Sequence, residues 1–416
     1  MKDFITKRGK KLYIEDLEIT KIAEQIPTPF YCYSQSLLEK NFNNFVKNFS
    51  FIDHKICYAI KANSNINLVK ILAKKNAGID AVSAGEIFRS IKAGINPKKI
   101  VFAGIGKTEE EITYALENKV EEFSVESESE LYLLSKVAKK LGKIAKIAIR
   151  INPNIDACTH EKISTGRKGD KFGIDIEDSL ELYKIAKNLS TIEIFGISTH
   201  IGSQITSLEP FRKAFLKIRE LYFELKENNI KIKNFDLGGG IGISYDDEKT
   251  IKISDYADII KEITKDLDIS LTLAPGRVLV GDSGVLISKV THIKNTPHRN
   301  FMIIDAAMND LMRPALYNSY HDIITVEEAK GVIKKFSIVG SICESTDTFA
   351  HDREFHNPKS GDLIAFLSCG AYGSSMSNEY NSRALIPEIL VKDKEFKIIR
   401  RRPSFDEMIS LENNLD

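Results

Sequence analysis

The sequence predicts an α/β protein, a (β/α)8 barrel joined to a mainly antiparallel β domain. Eight short runs of apolar and β-branched residues alternate with amphipathic stretches of helical period over about 230 residues. Strands that alternate with helices in this way are typical of parallel barrels. Beyond about residue 281, strand-like runs are joined by turns without long helices, which is typical of antiparallel sheets.

The eight barrel strands are predicted at 56–60, 78–82, 100–103, 123–125, 145–151, 194–199, 234–237 and 271–274. Helices are predicted between them, and two begin with a capping pattern in which Ser83 or Thr108 precedes a glutamate by three positions. A doubly wound open sheet is the alternative, but no Gly-x-Gly-x-x-Gly motif follows the first strand. We therefore expect a barrel over residues 34–280.

The β domain is predicted from runs at 285–290, 301–304, 336–339, 363–367 and 386–391. The first 33 residues also look extended, ending in Pro27-Thr28-Pro29-Phe30-Tyr31-Cys32-Tyr33. We expect residues 1–33 and 281–416 to form one domain.

Composition excludes some classes of function. The 59 basic and 58 acidic residues leave a net charge of +1, so nucleic-acid binding has no support from charge. No apolar run reaches the roughly 18–20 residues needed to cross a bilayer, and residues 1–8 lack the apolar core of a secretion signal. We expect a cytoplasmic protein without nucleic-acid or membrane partners.

Five scattered cysteines point to a reducing compartment: Cys32, Cys57, Cys158, Cys343 and Cys369. Their number is odd and they include no Cys-x-x-Cys pair, which argues against a disulfide framework and a zinc site. We expect no metal.

Polar residues follow the predicted barrel strands repeatedly, and chemistry in such barrels lies at the carboxyl ends of the strands. These rim residues are Lys61, Asp80, Ser83, Glu126, Ser127, Arg150, Asn152, His200, Ser203, Gly238–Gly240 and Arg277. Lys61 ends an apolar run; desolvation there would lower its pKa and let the free amine form a Schiff base with a carbonyl. The alternative is a solvated strand cap.

Two further rim groups are suited to a phosphorylated heterocycle. The glycines at 238–240 would let backbone N–H groups approach an anion closely, although a tight turn without a ligand gives the same pattern. His200 could stack on a planar ring while the Ser203 hydroxyl binds phosphate. The alternative is a buried histidine with its hydrogen bonds satisfied.

The second half of the chain offers candidate substrate ligands. Arg277, Arg313 and Tyr317 could bind a carboxylate, because guanidinium groups match its geometry; surface ion pairs are the alternative. Cys343 stands beside Glu344 after an apolar run, an unusual thiol–carboxylate pair that could also be a small apolar residue at a strand end. Tyr380 lies in a serine-rich loop, where function often resides.

Six motifs in order resemble the pyridoxal-phosphate-dependent diaminopimelate decarboxylases, over most of the chain. They are Tyr58-Ala59-Ile60-Lys61-Ala62-Asn63, His200-Ile201-Gly202-Ser203-Gln204, Gly238-Gly239-Gly240, Pro275-Gly276-Arg277, Cys343-Glu344-Ser345-x-Asp347 and Tyr380-Asn381-Ser382-Arg383. The resemblance implies decarboxylation of meso-2,6-diaminopimelate to L-lysine and CO₂, the last step of lysine biosynthesis. Relatives that act on ornithine or arginine carry Asp-Gly after the cysteine, where this chain has Glu344-Ser345.

The resemblance also implies a role for each residue. Lys61 would bind pyridoxal 5'-phosphate covalently and His200 would stack on its ring. The phosphate would be bound by Ser203, Gly239, Gly240, Gly276 and Tyr380, with Ala274, Pro275 and Arg277 completing the cofactor site. The substrate would be held by Arg277, Arg313, Tyr317, Glu344 and Tyr380. Cys343 would come from the partner subunit of a homodimer and deliver a proton to the carbon that loses CO₂.

One position departs from the family. The usual Glu-Pro-Gly-Arg reads Ala274-Pro275-Gly276-Arg277 here, so the glutamate that faces the pyridine nitrogen is missing. Losing one such electrostatic partner commonly lowers the rate by about 10²–10³, roughly 3–4 kcal/mol. A different amine substrate and a catalytically silent cofactor-binding protein are the alternatives, and Ala274 favours the second of these. We expect a single substitution in an otherwise intact site.

Overall fold

The structure is a computed structural model that describes residues 3–157, 159–328 and 330–412. Cys158 lies outside the described residues. The chain divides into two compact units: Asn41–Ser244 with Lys249–Leu279, and Met1–Lys40 with Tyr245–Glu248 and Val280–Asp416. The predicted domain boundaries at 34 and 280 stay a prediction.

The amino-terminal segment contributes four strands and a short helix, β1 (Ile5–Arg8), β2 (Lys11–Ile14), β3 (Leu17–Glu18), α1 (Ile19–Ala23) and β4 (Phe30–Ser34). The strands that follow are β5 (His54–Ala59), β6 (Gly78–Ala81), β7 (Ile100–Phe102), β8 (Glu122–Val125), β9 (Ala145–Asn152), β10 (Ile174–Asp175), β11 (Ile192–Thr199), β12 (Asn234–Asp236) and β13 (Ser270–Leu273). Eight of these pair in parallel in the order β9-β11-β12-β13-β5-β6-β7-β8, and β8 pairs with β9 to close the barrel. The short β10 pairs with β9 outside this ring. The predicted barrel is confirmed.

Helices alternate with these strands. They are α2 (Gln35–Asn48), α3 (Ile66–Lys74), α4 (Ala84–Lys92), α5 (Glu109–Glu117), α6 (Glu128–Lys140), α7 (Ser179–Lys187), α8 (Glu209–Glu227), α9 (Ile253–Thr264) and α10 (Arg277–Val280). Thr108 forms the predicted capping box with Glu111 before α5, and Ser83 accepts the backbone N–H of Glu86 before α4. Caps of this kind stabilise a helix by about 1 kcal/mol.

The second unit contains a mixed, mainly antiparallel sheet, as predicted. Its remaining elements are β14 (Gly284–Asn295), β15 (Asn300–Ile304), α11 (Arg313–Tyr317), β16 (Ile323–Thr325), β17 (Ile333–Val339), β18 (Thr348–His356), β19 (Leu363–Phe366), β20 (Glu388–Lys392), β21 (Glu395–Arg400) and α12 (Phe405–Met408). The strand order is β18-β17-β15-β14-β4-β20-β21. Strand β4 therefore lies inside a sheet whose other strands come from the end of the chain.

An apolar core holds the two chain ends of this unit together. Ile5, Leu12 and Phe30 pack in one buried cluster with Val285 and Ile389. Within the described residues, no helix combines the length and the apolar character needed to span a membrane.

Candidate active site

The carboxyl ends of the barrel strands carry most of the predicted site. Lys61 lies in one turn of 3-10 helix directly after β5, and His200 directly follows β11. The glycines 238–240 come just after β12, and Pro275 just after β13. Because all eight strands are parallel, these residues lie at one rim of the barrel.

The turn that carries Lys61 packs against the segment after β13. The backbone N–H of Ala59 donates to the carbonyl of Pro275 at 3.1 Å. A Cβ at Gly276 would lie 3.1 Å from Cβ of Ala59 and 3.3 Å from Cβ of Ala62. A side chain at position 276 would therefore press on the turn that presents the lysine.

The glycine loop is held between two other loops of the rim. Ala274 donates its N–H to the carbonyl of Gly238 at 2.7 Å, and Ile205 donates to the carbonyl of Gly240 at 2.9 Å. A Cβ at Gly239 would collide with the carbonyl oxygen of Ala274. Only glycine leaves room for this close approach, so the triplet is required by packing as well as by any ligand.

His200 is half-buried beside this loop. Its Nδ1 accepts the N–H of Gly239 at 3.3 Å, and its carbonyl accepts the hydroxyl of Thr165 at 2.9 Å. Burial holds the pKa of His200 well below its ordinary value, and the positive charges of Lys61 and Arg150 lower it further. The imidazole is therefore neutral at pH 7, with its proton on Nε2.

Arg277 and Ser203 meet at the same rim. The guanidinium Nη2 donates to Oγ of Ser203 at 3.1 Å, and Arg277 is buried. The N–H of Ser203 donates to the carbonyl of Ile163 at 3.1 Å, which holds the loop after β11 in place. A guanidinium, a hydroxyl and a glycine-rich backbone in one place are groups that bind phosphate. The residues present therefore fit a phosphorylated cofactor joined to a nearby lysine.

A buried ion pair lies at the carboxyl ends of β8 and β9. Arg150 Nη1 donates to Oε1 of Glu126 at 2.8 Å, and Oε2 accepts the N–H of Gly173 at 3.1 Å. The Arg150 guanidinium also lies 4.9 Å from the ring centroid of Phe172. Both charged residues were predicted to lie at the rim, but without a role. Their position at strand ends was the only signal.

The exposure of Lys61 differs from the sequence-based expectation. Its side chain is exposed, not desolvated by the apolar strand before it. The short turn after β5 carries the residue beyond the strand, which explains the difference. Burial raises the pKa of Asp80, at the end of β6, and the charges of Lys61 and Arg150 oppose that rise.

Three predicted residues form an exposed cluster in the other unit. The N–H of Cys343 donates to Oδ1 of Asn381 at 3.2 Å. Glu344 accepts hydrogen bonds from the hydroxyls of Thr346 and Tyr380, and both lower the pKa of this carboxyl. The same carboxylate raises the pKa of Tyr380, with a smaller contribution from Cys343.

The segment that carries Cys343 is held by a buried carboxylate. Oδ2 of Asp347 accepts the N–H of Ile342, and Oδ1 accepts the N–H of Met308, both at 2.7 Å. Burial raises the pKa of Asp347, and these two N–H groups oppose the rise.

Arg313 and Tyr317 begin and end helix α11. Arg313 is buried, so it is not a surface ion pair. Its Nη1 lies 2.7 Å from Nε2 of His321, and its guanidinium lies 4.6 Å from the ring centroid of Tyr245. Tyr317 is half-buried. His321 and Tyr245 were not predicted as site residues, since no motif marks them.

Two groups of predicted residues result, one in each unit. The barrel rim brings together Lys61, His200, Ser203, Gly239, Gly240, Ala274, Pro275, Gly276 and Arg277. In the unit that contains the mainly antiparallel sheet, Cys343 lies with Glu344 and Tyr380. Among the residues that the structure describes, His, Cys, Asp and Glu form no group of three suited to holding a metal.

A parallel barrel with a rim lysine, a glycine loop suited to phosphate and a neutral histidine fits the class of pyridoxal-phosphate-dependent enzymes. Residues 35–281 match the family described as "Pyridoxal-dependent decarboxylase, pyridoxal binding domain". The chain belongs to the diaminopimelate decarboxylase family, and it is a pyridoxal-phosphate-dependent carboxy-lyase. The predicted family, enzyme class and cofactor are confirmed.

Individual relatives are similar along nearly their whole length. The diaminopimelate decarboxylase of Aquifex aeolicus is 43% identical over 98% of this chain and 96% of its own. The crystal structure of the Helicobacter pylori enzyme complexed with L-lysine is 41% identical and has a TM-score of 0.92, covering 95% of this chain and 99% of that one. The M. jannaschii enzyme, also in complex with L-lysine, is 38% identical with a TM-score of 0.94, covering 99% and 98%.

Proposed function

We propose that the protein decarboxylates meso-2,6-diaminopimelate to L-lysine and CO₂, the last step of lysine biosynthesis. The observation that carries the proposal is the gathering of Lys61, His200, Arg277 and the glycine loop at one rim of the barrel. The named activity of relatives above 40% identity supports this substrate, as do the L-lysine complexes of two structural neighbours.

The barrel rim would hold the cofactor. Lys61 would bind its aldehyde carbon, and the neutral ring of His200 would stack on its flat face. The phosphate would be bound by Ser203, Arg277, Gly239, Gly240, Gly276 and Tyr380, with Ala274 and Pro275 lining the site. When bound, pyridoxal phosphate supplies a carbonyl for the substrate amine and a ring that accepts the electron pair left by departing CO₂.

The substrate would be held at both ends by charge. Arg277, Arg313 and Tyr317 would bind carboxylate oxygens. Glu344 is ionised at neutral pH, because hydrogen bonds to the carboxylate lower its pKa, and with Tyr380 it would place the distal end. Ornithine has no distal carboxylate and would leave a buried guanidinium without its partner, which is costly.

Cys343 would complete the reaction from the partner subunit. Once the bond to the carboxyl carbon breaks, the α-carbon needs a proton in place of the lost carboxyl group. The thiol proton of Cys343 would pass to that carbon and leave a thiolate, which solvent reprotonates. Because each active site would need residues from both subunits, the enzyme would be a homodimer with shared sites. The four cysteines in the described part of the chain are free thiols, which supports a cytoplasmic location.

A substrate panel tests the proposal. Purified protein loaded with pyridoxal phosphate is given meso-diaminopimelate, ornithine, arginine or carboxynorspermidine, and the released CO₂ and amine product are measured. We expect kcat/KM for meso-diaminopimelate to exceed that for ornithine by about 10⁴ or more. Faster turnover of another amine would replace the proposed substrate.

Cofactor attachment is tested separately. An absorption band near the visible edge that borohydride removes, and that Lys61→Ala lacks, is the expected result. A protein that shows this band but turns over none of the four amines would be a silent cofactor-binding protein. The absence of the band would contradict the role of Lys61.

A further inference from the structure

Asp236 is a buried carboxyl inside the mouth of the barrel. Its Oδ1 accepts the N–H of Gly238 at 2.9 Å, and Oγ of Ser198 donates to Oδ2 at 3.4 Å. Ser198 in turn lies 3.5 Å from Oγ of Ser124 on β8. Since β9 separates β8 from β11, this contact crosses the interior, and Asp236 faces inward with it.

Asp236 lies on the strand next to the one that leads to Ala274, and two residues deeper in the barrel. Asp236 pairs in register with Thr272, two residues before Ala274. The N–H of Gly238 binds Asp236, and the carbonyl of Gly238 binds the N–H of Ala274 at 2.7 Å. One residue of the glycine loop therefore contacts both positions. The methyl group of Ala274 offers no polar atom there.

The surroundings of Asp236 favour a cation beside it. Burial raises its pKa to about 7, and the negative charges of Glu122 and Asp80 contribute to the rise. The N–H of Gly238 and the charge of Lys55 oppose it by less. A positively charged group next to this carboxyl would relieve its unfavourable ionisation.

The other carboxyls at the rim differ in this respect. Glu126 already pairs with Arg150 at 2.8 Å. Asp80 experiences the positive charges of Lys61 and Arg150, which oppose the rise of its pKa. Asp236 has acids as its principal charged neighbours and lies one strand from Ala274, whereas Asp80 lies two strands away.

We propose that Asp236 is the acidic partner of the pyridine nitrogen in this chain, in place of the side chain that Ala274 lacks. The inference rests on the proposed function, because it requires pyridoxal phosphate at this rim. The carboxylic proton of Asp236 passes to the ring nitrogen and leaves a carboxylate beside the resulting pyridinium, so charge is conserved. A protonated ring is the better electron acceptor, and the paired carboxylate keeps it protonated above its ordinary pKa.

The test measures the ring nitrogen itself. Protein is reconstituted with pyridoxal phosphate labelled with ¹⁵N in the ring, and the ¹⁵N chemical shift at pH 8 reports whether this nitrogen carries a proton. In the wild type we expect a protonated nitrogen. Asp236→Asn keeps an acceptor for Gly238, and we expect the resonance to move to the unprotonated position. Adding Ala274→Glu to that variant should restore the wild-type position.

Two controls make the assignment specific. Glu130→Gln removes another buried carboxyl, which pairs with Lys107 at 2.8 Å and is not among the charges that act on Asp236, and should leave the resonance unchanged. Asp80→Asn tests the competing carboxyl. A resonance that moves in Asp80→Asn and not in Asp236→Asn overturns the proposal, as does one that stays protonated in Asp236→Asn.

The outcomes remain distinguishable from failure of the proposed function. Lack of covalent cofactor in the wild type contradicts the proposed function alone. If Asp236→Asn does not fold, the wild type is compared with Ala274→Glu. Equal, protonated resonances support the proposal, and a nitrogen that is protonated only in Ala274→Glu overturns it.

Discussion

The guanidinium of Arg277 donates a hydrogen bond to the hydroxyl of Ser203 at 3.1 Å, joining the start of α10 to the loop after β11. Arg277 is buried, so the contact fixes the direction of a charged group at the barrel rim. An anion bound there would meet a cation and a hydroxyl that are already in position.

Removing the hydroxyl should weaken cofactor binding. We expect Ser203→Ala to raise the Kd for pyridoxal phosphate about 10- to 150-fold, because a hydrogen bond to a charged group contributes about 1.5–3 kcal/mol. The measurement is a fluorescence titration of the cofactor-free protein. Ser207→Ala, an exposed serine in the same loop, is the control and should change nothing. Equal affinity in all three proteins would remove Ser203 from the phosphate site.

Position 274 should respond to a restored carboxylate. Ala274→Glu is expected to raise kcat, but by less than the roughly 10²–10³ that such a partner commonly supplies, because Asp236 already contributes part of its effect. Ala274→Gln has the same shape without the charge and should give no gain. A gain of 100-fold or more would contradict the role of Asp236. No gain at all would contradict the view that alanine weakens this site.

A shared active site should permit complementation between two inactive variants. Lys61→Ala lacks the cofactor-binding amine and Cys343→Ala lacks the proton donor, so each homodimer alone should be nearly inactive. After mixing under conditions that exchange subunits, half of the dimers carry one site with both groups intact, and about a quarter of wild-type activity should return. If mixing restores nothing while light scattering reports exchanged dimers, Cys343 does not act across the subunits.

Stability of the cofactor-free protein should depend on Asp236 and on pH. Its folded-state pKa of about 7 lies above its ordinary value of 3.8, so the folded protein binds this proton more tightly than the unfolded chain does. The resulting stability is complete below about pH 4 and is lost as the pH rises to 7, by up to about 4 kcal/mol. Asp236→Asn should gain stability relative to the wild type over that range in urea denaturation. A pH-independent difference would show that the carboxyl is ionised in both states.

The barrel could be predicted because its strands combine strong apolar patterning with clear turns. All eight predicted runs overlap an observed strand, with ends that differ by at most two residues. The three-residue β16 and the strands β18 and β21 were missed in the other unit. Strands β18 and β21 end the strand order of that sheet, and few of their residues are buried. Edge strands of this composition lack the apolar period that marks a half-buried strand.

Some residues of the candidate site could also be predicted from local patterns, and others could not. Lys61, the glycine loop and His200 could be identified because motifs and strand ends mark them. The polar interior below them, including Ser198 and Asp236, was not identified, since short polar residues inside apolar runs were counted as part of the strands. Polar and apolar residues alternate in the Glu-Phe-Ser-Val segment of β8. This alternation was the signal that indicated an inward-facing polar layer. Contacts such as Arg313 with His321 depend on tertiary packing that no local pattern records.

Strand β4 pairs in antiparallel fashion with residues 284–287 and in parallel with residues 388–391. A ribosome must therefore translate nearly the entire message before this early segment can find both of its neighbours. The intervening barrel strands can pair with one another well before that moment. Until then residues 30–34 present apolar side chains and unsatisfied peptide groups, a period in which a chaperone or a second nascent chain can engage them.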